Sequence, residues 1–339
     1  MPHLPRRTLL AATLALPALR ARAAALETTS VEIAGVRDPQ LGAQLAVADT
    51  YGYFKDEGLD VSLHYNQSAA DTLTTMAAGI PVGVGGIFTQ VVLAGQGLPV
   101  RTVSALADIA ETQGFVISPN VKLATPKDLE GKKLAFTQGN SQVLILAKMA
   151  QMFGFDMKKV TLVNMQPSEG VVAASKGDVA GLLGWQPNLF RLVQLGGSNY
   201  ANGTTLFVTG QEQKLPFEDR LQYNHSVLLM SQEFLDKSPN TATAILRAMK
   251  KATDLIQNDR PKAMEAMRQK LRIDADALDV MATANKYGMG IDASLARSLA
   301  FQSDWAMQVN RIKAPIDPAV AFAPGPLTAL DPAMVTWKA

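Results

Sequence analysis

Between residues 30 and 187 the chain repeats one pattern, a short apolar run followed by a longer amphipathic segment. The runs SVEIAGV (30–36), LDVSLHY (59–65), PVGVGG (81–86), PVRTVSALA (99–107), VTLVN (160–164) and VAGLLG (179–184) read as strands. Helices are expected over 42–56, 68–78, 88–96, 140–153, 168–176 and from 187 onward. Strands separated by helices are joined by crossovers, and crossovers make neighbouring strands parallel. The pattern therefore predicts an α/β chain with mostly parallel sheets covered by helices on both faces. From Ser231 the rhythm changes to consecutive helices over 239–258, 260–271, 274–287 and 292–312. A Pro-rich strap, APGPLTALDP, follows them.

The pattern also repeats at long range. Shifting the chain by 98 residues lays Asn66, Gly79, Gly83 and Gly86 on Asn164, Gly177, Gly181 and Gly184, and Ile87 on Trp185. A helical segment and then a short apolar strand follow the Asn in both copies, which points to two similar α/β lobes. In open parallel sheets ligands bind at the carboxyl ends of strands, where loops meet helix N-termini. Those loops are Arg37-Asp38, NQSAA (66–70), GGIFTQ (85–90), TQGNSQ (137–142), NMQPSE (164–169) and GWQPN (184–188). Trp185 thus stands at a strand mouth, where it can line a cleft or pack between lobes.

Composition narrows the class. The chain has 339 residues, long enough for two cores, and 47% hydrophobic content suits a well-buried protein. With no cysteine, thiolate catalysis, disulfides and a lipid-bearing cysteine are excluded. The first 25 residues read as an export signal: MPHLPRR is charged, TLLAATLALPAL apolar and ARAAA a small-residue cleavage region. Arg6-Arg7 resembles a twin-arginine signal, with the general secretory route as the alternative. Without this segment and its four arginines, 28 basic residues face 30 acidic ones, so no basic surface for nucleic acid is indicated. Localisation in a periplasm is expected.

Several segments, taken in order, carry a resemblance. GYFKDEGLDVSL (52–63), MAAGIPVGVGG (76–86), GLPVRTVSAL (97–106), PKDLEGKKLAF (126–136) and SKGDVAGLLGWQP (175–187) resemble the aliphatic-sulfonate, taurine and nitrate family of ABC-transporter substrate-binding proteins. LLMSQEFLDKSPNTATAILRAMKKATDLI (228–256) is similar to that family's C-terminal helical region. The resemblance implies a two-lobed periplasmic-binding-protein type II fold, with lobe 1 from 26–110 and 225–339 and lobe 2 from 111–224. It implies a monomer that closes on a small anion by a hinge near Glu111 and Tyr223 and presents it to an ABC permease. Many members have an acidic residue between the Trp and the Pro, where this chain has Gln186. A frequent Pro-Gly-Ser turn is here Gln138-Gly139-Asn140-Ser141.

The candidate ligand-binding residues are Arg37, Asn66, Gln67, Ser68, Gly86, Ile87, Phe88, Gln138, Asn140, Ser141, Asn164, Glu169, Trp185 and Gln186. Helix starts at Ser68, Asn140-Ser141 and Ser168 offer N–H groups to an anion, or the Ser and Asn side chains simply cap them. Arg37 can clamp a carboxylate or sulfonate, or pair with Asp38. The amide-rich, charge-poor loops equally suit a neutral heterocycle or aromatic acid. His64 and His225 fall in strands, where buried, hydrogen-bonded rings are expected, and no metal or cofactor site is expected. A sensor subunit and a cofactor-free dehydratase based on Glu169 or Asp108 remain the other readings of the same scaffold.

Overall fold

A computed structural model describes residues 25–208 and 210–338. The charged and apolar parts of the expected export signal lie outside the described residues. The strands are β1 (Ser30–Val36), β2 (Asp60–Asn66), β3 (Val82–Gly86), β4 (Val100–Asp108), β5 (Gln113–Ile117), β6 (Lys133–Phe136), β7 (Thr161–Asn164), β8 (Gly181–Trp185), β9 (Ser198–Asn202), β10 (Thr205–Leu206), β11 (Gln213–Lys214), β12 (His225–Ser231) and β13 (Lys286–Gly290). They form two sheets, ordered β13-β4-β12-β3-β1-β2 and β11-β10-β9-β5-β8-β6-β7.

Each sheet is built on a helix-connected parallel triad, β2-β1-β3 in one and β7-β6-β8 in the other. The 98-residue correspondence falls on these triads: Asn66 is paired with Val36 at the end of β1, and Asn164 with Phe136 at the end of β6. Gly79 and Gly177, which follow the matched helices, both have positive φ (115° and 83°), a conformation that favours glycine. Mostly parallel pairing holds within the triads only. Strands that enter from the other half of the molecule, β12 beside β3 and β5 beside β8, run antiparallel, so both sheets are mixed.

Local signals explain the shifted boundaries. The helix expected from 42 begins at Pro39, because Asp38 caps it and proline suits its first position; Tyr53–Asp56 is a separate turn beyond Gly52. The segment 274–287 is a helix only over Ala275–Ala284; the chain then turns into β13, which pairs with β4. The last long helix ends at Gln308 rather than 312, and the Pro-rich strap contains a short helix, Gly325–Leu330. Pro239–Asn258 spans 20 residues and lays Ala242, Ile245, Leu246, Met249 and Ala252 against Pro39–Thr50 and the first sheet.

The buried apolar clusters belong to their own sheets, with Phe190, on the helix Asn188–Gln194 that follows β8, reaching across to pack against the first. One gathers Ile33, Leu45, Val103, Leu229 and Ile245; two others cover the second sheet, around Phe115, Leu134 and Ile145 and around Val116, Leu182 and Leu192. The chain crosses between the sheets at 109–112 and 221–224, and the crossings are tied together: Ile109 N donates to Asn224 O (3.0 Å), and Arg220 pairs with Asp108 (2.9 Å). Gly203 joins them to the second sheet, donating to Ala110 O and Gln113 O while its carbonyl accepts from Leu221 N and Gln222 N. A Cβ at Gly203 would stand 2.3 Å from Ala110 O. Gly203→Ala is therefore expected to cost about 1–3 kcal/mol in a urea melt, the usual range for overpacking, and an unchanged midpoint would show that this crossing yields freely.

Candidate functional site

Between the two sheets lies a cleft whose unfilled space, open mouth included, is about 410 Å³. The first sheet's helix starts supply Asp38, Gln40, Leu41, Ala69, Gly86, Phe88 and Thr89; the second sheet supplies Gln113, Gly139–Gln142 and Trp185; the crossings supply Ile109 and Asn224. Of the residues expected from sequence, Gly86, Phe88, Asn140, Ser141 and Trp185 come together here. Trp185 ends β8 opposite Gln113 and is 6% exposed.

The other expected residues lie elsewhere. Arg37, Asn66 and Gln67 line an outer groove with Ser168, Arg191 and Arg272. Asp38 and Trp185 border both the groove and the cavity and so stand between them. The Arg37 guanidinium donates to Lys270 O and lies over the Tyr65 ring. Ser68 caps Ala69–Ala77 through Asp71 N, and Ile87 is fully buried in the core. Gln138 borders a neighbouring apolar groove, and its N–H is held by Asn164 Oδ1 (2.9 Å). Glu169 is exposed and closes a capping box with Gln166 N, while the Gln186 amide oxygen accepts from Phe190 N. His225 is buried, bonded to Ser298 Oγ (2.8 Å), and held below the usual histidine range by desolvation; His64 is instead exposed and paired with Glu32.

A line of amides spans the site. Gln142 Nε2 donates to Gln113 Oε1, Gln113 Nε2 donates to Gln40 Oε1, and Gln40 Nε2 donates to the Gln186 carbonyl (2.8 Å). Thr112 Oγ1 also donates to Gln40 Oε1 (2.7 Å). Two helix starts on the cavity, at Gly86–Ile87 and Gln142–Val143, have no side-chain cap. The first N–H groups at Gly86–Ile87 lack acceptors within the helix and carry partial positive charge, a setting suited to anionic oxygen; at Gln142–Val143, Leu144 N and Ile145 N already donate to Ser141 O and Gln142 O.

Asp38 is the residue that sequence reasoning passed over. It is 3% exposed, and its Oδ1 accepts from Gln40 N and Leu41 N, both at 2.9 Å. Burial pushes its carboxyl up to about 6, against the pull of those N–H groups and of the Trp185 indole N–H beside it. Oδ2 has no partner in hydrogen-bonding geometry. The Asp38-Pro39 pair was the available signal, since it marks a helix start at the carboxyl end of a strand. Gln40, Gln113, Gln142 and Asn224 also belong to the site. Asn224 could not be found by any motif, because only the crossing brings it there. Among the described residues, no group of His, Cys, Asp and Glu could hold a metal ion.

The charge state of Asp38 makes a stability prediction. The native carboxyl binds its proton more tightly than the unfolded one, so stability falls as pH rises from about 3.8 and the loss is complete above about 6. The full penalty is on the order of 3 kcal/mol. The charged or titratable groups around it are Tyr287 on β13, adjacent Arg37, and Arg191 and Arg272 across the outer groove. Asp38→Asn keeps an oxygen to cap the helix and removes the charge. Its stability is expected to gain on wild type by roughly 2–3 kcal/mol between pH 4 and 7.5 in urea melts. A difference that stays constant across that window would mean the buried carboxylate is already compensated.

Comparison with known proteins places these features in context. The NMT1/THI5-like family matches over residues 42–263. The taurine-binding periplasmic protein of Escherichia coli (strain K12) is 27% identical over 146 residues, which is 43% of this chain and 45% of that protein. The 4-amino-5-hydroxymethyl-2-methylpyrimidine phosphate synthase of Saccharomyces cerevisiae is 23% identical over 224 residues, 64% of each chain. Both alignments thus span less than two thirds of the relative. In three dimensions the alkanesulfonate-binding protein SsuA from Xanthomonas axonopodis pv. citri, bound to MOPS, superposes with a TM-score of 0.73. That alignment has 16% identity and covers 88% of this chain and 99% of that one, so the two share the two-sheet periplasmic binding-protein fold. The chain belongs to the NMT1/THI5-like family.

Proposed function

We propose that this protein is the solute-binding component of an ABC importer, and that it captures a small organic or inorganic anion of the sulfonate or nitrate kind. The observation that carries the reading is the cleft with walls from both sheets and from both crossings, onto which two uncapped helix starts open. Bodies 26–110 with 225–339 and 111–224 act as lobes that move about the crossings, since among the described residues Phe190 alone of 111–224 packs against the first sheet's apolar cluster. A ligand gripped from both sides favours the closed form, which a membrane permease then recognises. Arg37, Arg191 and Arg272 around the outer groove raise the local concentration of anions before entry. Export through the twin-arginine route to a periplasm completes the reading.

A second ligand class has support from one feature. An apolar groove lined by Phe88, Phe136, Met157, Leu162, Trp305 and Val309 shares Phe88, Gly139 and Asn140 with the cavity, so an anion bearing an apolar or aromatic tail would also fit. Catalysis is disfavoured by the residues present. Asp38 is the one ionisable side chain among those lining the cavity, both described histidines are engaged elsewhere, and the chain has no cysteine.

A thermal-shift screen against sulfonates, nitrate, aromatic acids and pyrimidines tests the reading, with calorimetry on the hits. A ligand at 100 times its Kd adds about 2.7 kcal/mol, which moves the midpoint by several degrees. Trp185→Ala is expected to weaken the hit about tenfold or more while the protein stays folded, and Arg37→Ala to slow association at low salt with little change in off-rate. Chemical conversion of the hit on incubation would overturn the binding-protein assignment.

A further inference from the structure

Asp38 is the one ionisable side chain lining the cleft, and its two oxygens are unequally engaged. Oδ1 already accepts from Gln40 N and Leu41 N, so a proton on this carboxyl belongs on Oδ2, which has no partner in hydrogen-bonding geometry. The residue is buried, and no lysine, arginine or histidine is among the lining residues to balance its charge. The uncapped helix start at Gly86–Ile87 opens onto the same cleft and suits the ligand's anionic oxygen. A bound anion therefore shares a small, poorly solvated space with a carboxyl group. Two negative charges there repel with little screening, whereas a neutral carboxyl offers the anion an O–H donor.

The other charged or titratable groups around Asp38 do not take over this role. Tyr287 on β13 donates to Pro39 O (2.9 Å), and Tyr65 lines the outer groove; burial holds both hydroxyls above the usual tyrosine range, so they stay neutral. Arg37, Arg191 and Arg272 of that groove stay charged throughout. The helix that Asp38 caps has no charged side chain before Asp49, which pairs with Lys270. The Trp185 indole N–H beside Asp38 does not titrate, and neither His64 nor His225 lines the cleft.

We infer that this protein binds its anion together with one proton, which Asp38 holds on Oδ2. The inference rests on the small-anion reading and adds the proton to it. Linkage is reciprocal: a bound anion that tightens the carboxyl's hold on its proton is itself held more tightly, by the same factor, when the proton is present. The unliganded carboxyl, pushed up to about 6 by burial, is mostly ionised at neutral pH, so binding there takes up a proton. Affinity is then greatest below about pH 6 and weakens by up to tenfold per unit as pH rises, until the liganded carboxyl also ionises.

Isothermal titration calorimetry of the purified protein from pH 5.5 to 8 tests this, with ethanesulfonate, benzenesulfonate and nitrate as probes. All three stay fully ionised across that range. Cationic buffers at constant ionic strength avoid competition and keep screening fixed. The Kd of the best-binding probe is expected to rise at least tenfold between the two ends. At pH 7 an unbuffered pH trace is expected to show uptake of about half a proton or more per anion bound. Asp38→Asn, with its folding checked by circular dichroism, is expected to hold its Kd within threefold over the range and to take up no proton. If the variant does not fold, the wild-type proton count decides alone. Binding without proton uptake, or a folded Asp38→Asn that keeps the full pH dependence, would overturn the inference and leave the small-anion reading standing. Failure of all three probes to bind at any pH would overturn the small-anion reading, and this inference with it.

Discussion

The line of amides from Gln142 through Gln113 and Gln40 to the Gln186 carbonyl is the contact that ties the two sheets' halves together across the site. It links a helix start of the second sheet, the strand that follows a crossing, a helix start of the first sheet and the turn after Trp185. Amides suit this task because each can donate and accept at once, so a series can cross an interface without a net charge. A salt bridge there would bring a desolvation cost and hold the halves in one state. Apolar packing would do the same, yet among the described residues it amounts to Phe190 of the second half against the first cluster. What joins the halves is mainly polar, which suits the opening and closing proposed for this protein.

Much of this was legible in the sequence, for physical reasons that can be named. The first triad, and β7 and β8 of the second, were readable because apolar runs and amphipathic segments alternate with lengths that crossovers need. The repeat at 98 residues was readable because Asn66 and Asn164, with the glycines after them, occupy the same places in two copies of one unit. Less legible were β6, at the middle of the second triad, and the strands that enter the sheets from elsewhere in the chain. Gln113–Ile117 and Lys133–Phe136 are too short to show periodicity, and Lys286–Gly290 is a strand only because β4 offers it an edge.

The candidate site divides along the same line. Trp185, Phe88 and Asn140 could be placed because they lie at strand ends that local pattern defines. Arg37 and Glu169 sit at strand ends too, but a side chain's direction depends on its neighbours: Tyr65 and Lys270 O draw one outward, and a cap holds the other. Asp38 was hidden by its double role. As a helix cap it looks ordinary, and only burial beneath Trp185 turns its second oxygen into a feature of the cavity.

The place of β12 in the first sheet has a consequence for how the chain acquires its shape. Between β3 and β4, which are near in sequence, lies a strand contributed by residues 225–231. The second sheet is built from one uninterrupted stretch, 113–214, and can be completed as soon as that stretch is available. The first cannot: as the polypeptide emerges from the ribosome, β3 and β4 wait with unpaired inner edges while the whole of the second sheet is made. Exposed edges of apolar strands are where nascent chains associate with one another. The late arrival of His225–Ser231 therefore sets the interval in which this molecule most needs a chaperone, and it makes the half that begins first the half that finishes last.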